Sequence, residues 1–119
     1  MRLVLDTNIY CDYAEGVPSA VDAIAAHGEF LLIPSIVLGE LSYGFSKGAR
    51  QEFNEAKLRQ IISILRIQII NVDQNVARKY VTIFSSLARK GRKVPINDVW
   101  IAACCMEATT KAPYPWQSM

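Results

Sequence analysis

Three short apolar runs constrain this chain more than any other feature: Arg2-Leu3-Val4-Leu5, Phe30 to Ile33, and Ile67 to Val72. None shows the strict alternation of a strand with one wet face, and segments of helical periodicity separate them. Unalternating strands joined through helices specify a parallel sheet whose two faces are both covered. The expectation is an α/β, three-layer fold, a parallel sheet flanked by helices. With 119 residues, 51% of them hydrophobic and 20% charged, the chain has the size of one domain and ample material for a core. Disordered and low-complexity classes are excluded.

The segments between the runs carry their own punctuation. Asp6-Thr7-Asn8 ends the first run and opens a helix. Ser19-Ala20-Val21-Asp22 has capping-box form and predicts a helix that His27-Gly28 ends. Pro34 stops the second run, Ser35 is placed to cap a helix to about Ser46, and Lys47-Gly48 breaks it. Ala49 to Leu65 sets Phe53, Ala56, Ile61 and Leu65 among charges, the pattern of an amphipathic helix. Asp73 caps another long helix through Val76, Tyr80, Ile83, Phe84 and Leu87 to Gly91. After Val94-Pro95 a last helix, about Asn97 to Ala108, is apolar nearly all round and reads as buried. The chain therefore divides into a domain over residues 1–108 and an atypical tail over 109–119, which holds two prolines and no strand pattern.

Several function classes are disfavoured. The longest unbroken apolar run, Val99 to Met106, has eight residues, whereas a membrane span needs about 20. Asp6 interrupts the place where a signal peptide needs its apolar stretch. Three cysteines without spaced pairs are no disulfide framework and point to a reducing, cytoplasmic setting. One histidine and no C-x-x-C give zinc no ligand set, and neither a P-loop nor G-x-G-x-x-G is present. Charge is lopsided: Lys47 to Lys93 contains eleven bases and three acids, while residues 1–46 contain one base and six acids. That is either a polyanion-binding surface beside a carboxylate cluster or the solvated faces of two amphipathic helices.

Three carboxylates stand out, each with a plainer alternative. Asp6 follows the first strand, where α/β folds place ligands, but Asp is also a good helix N-cap. Asp98 lies in the first turn of the last helix, where dipole compensation or capping explains it, and Asn97 could supply the cap instead. Glu40 is mid-helix, four residues after Ile36 and three after Val37, on or near the stripe that faces the core. A carboxylate there needs a cation or strong hydrogen bonds; a metal and a partner such as an arginine both satisfy it. His27 reads as a helix C-terminal residue and Trp100 as packing rather than a base-stacking platform.

Taken together, Leu3-Val4-Leu5-Asp6-Thr7-Asn8, Ile36-Val37-Leu38-Gly39-Glu40-Leu41-Ser42-Tyr43-Gly44 and Pro95-Ile96-Asn97-Asp98-Val99-Trp100-Ile101-Ala102-Ala103 resemble the three acidic motifs of PIN-domain ribonucleases. The nearest group is the VapC toxins of toxin–antitoxin modules. The resemblance implies a parallel sheet with Asp6, Glu40 and Asp98 meeting around Mg²⁺ or Mn²⁺. Asp6 and Asp98 would be direct ligands, and Glu40 a third ligand or the group orienting a metal-bound water. It further implies a cytoplasmic endoribonuclease, a homodimer, restrained by a cognate antitoxin protein, with Arg89, Lys90, Arg92 and Lys93 on the RNA backbone. Family members continue into another strand and a further acid, whereas no acid follows Glu107 here, which implies weakened cleavage. Two other readings are a PIN nuclease that is not a toxin, and a catalytically degenerate PIN module acting by antitoxin binding or dimerisation.

Overall fold

The structure is a computed structural model that describes residues 2–110. The expected tail lies outside the described residues from 111 onward. The chain forms two compact units that meet in sequence between Ile70 and Asn71. Among the described residues there are three parallel strands and six helices.

The first unit runs β1 (Leu3–Val4), α1 (Thr7–Ala14), α2 (Pro18–Ala26), β2 (Leu31–Pro34), α3 (Ser35–Ser46), α4 (Gln51–Ile64) and β3 (Gln68–Ile70). The strands lie in the order β1-β2-β3, with Leu3 opposite Leu31, Leu32 opposite Gln68 and Pro34 opposite Ile70. Parallel neighbours need a crossover, and each helix pair supplies one. β2 is central, and Leu31, Leu32 and Ile33 are only 2%, 0% and 0% exposed. Both faces of that strand are closed, which is why its sequence does not alternate. Leu5, Ile24, Val37, Leu41 and Leu58 are also buried in this unit.

Two helix starts differ from expectation. α2 begins at Pro18, and the preceding Val17 makes no side-chain cap bond, so the Ser19 capping box does not form. Proline explains the shift: its fixed φ and missing N–H suit a first helical position, where that donor has no intrahelical partner. α3 begins at Ser35 itself, and Pro34 is the residue before it, again without a side-chain cap bond. At the end of α4, Arg66 adopts a φ of 54°. Its N–H donates to Ser63 O at 3.3 Å and the Ile67 N–H to Ile62 O at 3.0 Å, which closes a Schellman motif around an arginine instead of the usual glycine.

The second unit pairs α5 (Gln74–Arg89) with α6 (Ile96–Thr110). Asp73 caps α5 as expected, its Oδ1 accepting from the Val76 N–H at 2.9 Å. Gly91, at φ +67°, ends that helix: its N–H reaches Ala88 O at 3.1 Å and the Arg92 N–H reaches Leu87 O at 3.0 Å. Tyr80 stacks on Trp100 with ring centroids 3.9 Å apart, and Lys79 Nζ pairs with Glu107 Oε1 at 3.2 Å. α6 buries Val99, Ala103, Cys104 and Ala108 and extends to Thr110. Among the described residues no helix is long and apolar enough to cross a membrane.

Candidate functional site

The site begins where β1 stops. The Leu5 N–H still bonds to Leu32 O at 2.7 Å, and one residue later Asp6 turns the chain into α1 with extended backbone. Asp6 Oδ1 accepts the Ile9 N–H at 2.8 Å, so the capping role is realised. A carboxylate has two oxygens, and a cap bond on one of them leaves ligation by the group chemically compatible.

The next residue makes the link to the second acid. Thr7 Oγ1 donates to Glu40 Oε1 at 2.8 Å, across 33 positions of sequence. Glu40 follows the buried Val37 by three residues and precedes the buried Leu41, so α3 holds its side chain in a half-buried setting. β1 and β2 are adjacent and parallel, and Asp6 and Glu40 each sit in the chain that leaves their carboxyl ends. That is where open α/β sheets carry ligands. One partner of Glu40 is thus the Thr7 hydroxyl. A hydroxyl bond fixes the rotation of a carboxylate without cancelling its charge.

Asp98 belongs to the second unit. It is exposed, in the first turn of α6, with its N–H on Pro95 O at 3.0 Å. Because α6 starts at Ile96, Asn97 lies inside the first turn instead of before it. Arg89 is in the last turn of α5, Lys90 is its C-cap, and Arg92 and Lys93 follow in the loop before α6. All four cations are exposed. Within neither unit do three or more His, Cys, Asp or Glu side chains gather closely enough to hold a metal ion among the described residues. The first unit offers two carboxylates and a hydroxyl, an all-oxygen set of the kind hard divalent cations prefer.

Sequence reasoning missed other polar features. Ser42 Oγ donates to Glu55 Oε1 at 2.8 Å, joining α3 to α4. Burial, with the charges of Cys11 and Glu55 adding, pushes the Tyr10 hydroxyl up to about 12. Near it a cleft of about 290 Å³ is lined by Cys11, Glu15, Arg50 and Lys57, and Lys57 Nζ donates to Ala14 O at 2.7 Å, satisfying a carbonyl at the end of α1. Arg50 lies 4.1 Å over the Phe53 ring. Only Thr7 was within reach of a sequence argument, since Asp-Thr-Asn puts a hydroxyl beside the first acid.

Known proteins give this geometry a context. Ribonuclease VapC2 of Rickettsia felis is 34% identical over 108 residues, covering 87% of this chain and 78% of the relative. The tRNA(fMet)-specific endonuclease VapC of Shigella flexneri is 32% identical over 103 residues, covering 86% and 76%. Among solved structures, VapBC2 from Rickettsia felis bound to a DNA fragment from its promoter superposes with a TM-score of 0.82 at 29% identity, covering 92% of this chain and 83% of that one. DNA-bound VapBC from Salmonella typhimurium gives 0.78 at 30% identity, covering 88% and 79%. Residues 3–112 match the PIN domain family, and the chain belongs to it, among the VapC ribonucleases.

Proposed function

We propose that the chain is the toxin of a type II toxin–antitoxin module, a divalent-metal-dependent endoribonuclease that hydrolyses RNA phosphodiester bonds in the cytoplasm. The observation that carries the reading is the Asp6–Thr7–Glu40 linkage at the carboxyl ends of two adjacent parallel strands. Family membership gives that linkage a chemistry. The domain is taken as residues 1–108 with 109–119 as its tail.

Asp6, Glu40 and Asp98 are the proposed metal-site residues, and Mg²⁺ or Mn²⁺ the cation. When bound, such an ion lowers the pKa of a coordinated water and stabilises charge on the phosphate and leaving oxygen. The chain's own groups do the rest. Asp6 presents its carboxylate from a backbone fixed by the cap bond. Thr7 holds Glu40 in one rotation, where it serves as ligand or orients the attacking water. Asp98 contributes a third negative charge from the first turn of α6, and Arg89, Lys90, Arg92 and Lys93 engage RNA phosphates. The cognate antitoxin and a second copy of the chain are the proposed protein partners. Tyr43, Phe53 and Ile64, which are 64%, 52% and 68% exposed, support an interaction surface in the first unit.

The test is cleavage of bulk RNA by purified protein with Mg²⁺, Mn²⁺ or EDTA. Cleavage with either cation that EDTA abolishes, and that Glu40→Gln and Asp98→Asn each reduce, is the expected result. Metal-independent cleavage, or full activity in both variants, would sink the reading.

A further inference from the structure

The second unit contains a cleft of about 260 Å³ between the end of α5 and the start of α6, and no acid lines it among the described residues. Phe84, Leu87, Val94, Ile96 and Val99 make an apolar floor, and Arg92 and Lys93 stand at it. Such a volume lies just below the roughly 300–1,000 Å³ of typical ligand pockets, the scale of a single planar ring system. Three of the apolar residues face solvent: Phe84, Val94 and Ile96 are 45%, 38% and 58% exposed. Apolar surface in a concavity next to two cations suits a ligand that is both flat and anionic.

The aromatic geometry narrows the choice. Trp100 stacks on Tyr80 at 3.9 Å with 17° between planes, and Tyr80 on Phe84 at 5.7 Å with 24°. These rings form a short ladder of near-parallel planes whose exposed last rung, Phe84, is part of the cleft wall. A ladder that ends in an open ring is a place for one more ring to stack. The loop that carries the cations leaves α5 at a defined place, because the Gly91 and Arg92 N–H bonds close the Schellman motif there. Neither Arg92 nor Lys93 pairs with an acid among the described residues. Their charge is therefore available to a phosphate.

We propose that this cleft is a nucleobase subsite: one unstacked base of single-stranded RNA inserts against Phe84, with Arg92 and Lys93 on the adjoining phosphate. The inference rests on the ribonuclease reading and deepens it. Asp98 lies on the same first turn of α6 as Ile96 and Val99, so the base is anchored by the element that carries a proposed metal-site acid. Base–aromatic stacking tolerates any base, because every base has a π-face. The subsite accordingly selects for an unpaired nucleotide rather than for a sequence, and it disfavours duplex RNA.

The test uses the full chain in EDTA with a set of 2′-O-methyl RNA decamers, each carrying 2-aminopurine at a different position, so that binding is read without cleavage. Wild type is expected to quench fluorescence at one or two positions only. Phe84→Trp keeps the quench, while Phe84→Leu loses it and weakens binding by about 5- to 150-fold, the range of one lost stacking contact. Arg92→Gln with Lys93→Gln lowers the salt dependence by about 1.4, or about 0.7 per phosphate contact on a single strand. Thermal melts show whether each variant folds. Unchanged quench and affinity in folded Phe84→Leu would overturn the proposal. So would a shift of that variant from dimer to monomer with RNA affinity intact, which assigns the cleft to a second copy. Capture there of an apolar peptide with a free carboxylate that RNA does not displace would overturn it too. Position-specific quench by a wild type that cuts no RNA with either cation supports the subsite and counts against the nuclease reading alone.

Discussion

Asp6 has a capping role and a proposed metal-binding role, which substitution can separate. Its Oδ1 accepts the Ile9 N–H at 2.8 Å, which caps an α1 of eight residues, and its charge is proposed to bind a divalent cation. Asparagine caps a helix about as well as aspartate, whereas replacing a cap by alanine costs about 0.5–2 kcal/mol. Asp6→Asn keeps the acceptor and loses the charge; Asp6→Ala loses both. The cap here is half-buried and well aligned, so about 1 kcal/mol is expected for alanine and under about 0.5 kcal/mol for asparagine. In a chain of this length about 1 kcal/mol moves Tm by roughly 4 °C. Activity follows the other ranking. Even groups that act one step behind a metal ligand change affinity by about 10- to 100-fold, so loss of a direct ligand should exceed that in both variants alike. Thermal melts, Mn²⁺ titration calorimetry and RNA cleavage on the same preparations give the answer. An Asp6→Asn protein with wild-type cleavage and Mn²⁺ affinity would leave Asp6 a cap and nothing more. Equal destabilisation by Asn and Ala would refute the capping account instead.

Three further outcomes concern stability. Lys79→Met removes the ammonium 3.2 Å from a Glu107 carboxylate that is only 5% exposed, and should cost about 2–3 kcal/mol, below the ~3–5 kcal/mol of fully buried pairs because water reaches the lysine side. Glu107→Gln leaves an ammonium that can turn to solvent and should cost about 1 kcal/mol, so equal losses in urea titrations would contradict the burial asymmetry. Arg66→Gly should stabilise by about 0.5–1 kcal/mol, since left-handed backbone costs a side-chain-bearing residue about 1–2 kcal/mol and glycine returns part of that as chain entropy; a lower Tm would refute it. Burial pushes the Cys104 thiol from 9.0 to about 11, with Cys105 and Asp73 adding, and burial likewise raises Tyr10 from 10.0 to about 12. Both groups hold their protons more tightly when folded, so their contribution is full below pH 9, where the first unfolded-state thiol titrates, and is lost as pH rises to about 12. The slope should be on the order of 1.4 kcal/mol per pH unit for each group, and Cys104→Ala should flatten the lower part of it; unchanged unfolding free energy over that range would show the shifts absent.

What could be read from the sequence follows the range of the forces involved. β2 was legible because a strand closed on both faces needs an unbroken apolar run, and Phe30 to Ile33 has one. Asp73 was legible because a cap and its first turn are three residues apart. The start of α2 was misplaced because two local signals competed there. The fixed φ of Pro18 outranked the Ser19 hydroxyl. Arg66 carried no signal, since its left-handed backbone is imposed by the closure of α4 onto β3 and not by the residue type. Glu107 was hidden by its own helix. With α6 apolar nearly all round, the 99–103–107 stripe that buries it could not be told from the other faces, and Lys79 lies 28 positions away.

The acids proposed for the site show why a local and a functional reading can fall on one residue. In a parallel α/β unit the chain leaves a strand and enters a helix within two or three residues, so a carboxylate there meets orphan N–H groups and the ligand crevice together. Asp6 does so at α1, whereas Asp98 stands in the first turn of α6, a helix that follows α5 through a loop and not a strand. Such a position favours an anion but not the cation the anion must hold. The positive end of a helix opposes a nearby positive charge by about 0.3–1 kcal/mol at exposed sites. A metal ligated only from helix starts would work against that field at each ligand. Glu40 differs in its own element, because it projects from the middle of α3, and its Oε1 accepts from the Thr7 hydroxyl at the start of α1. The same reasoning sets the order of effects at Asp6: asparagine satisfies the N–H groups but leaves the dipole unopposed. Helix stability should therefore survive that change while cation binding should not.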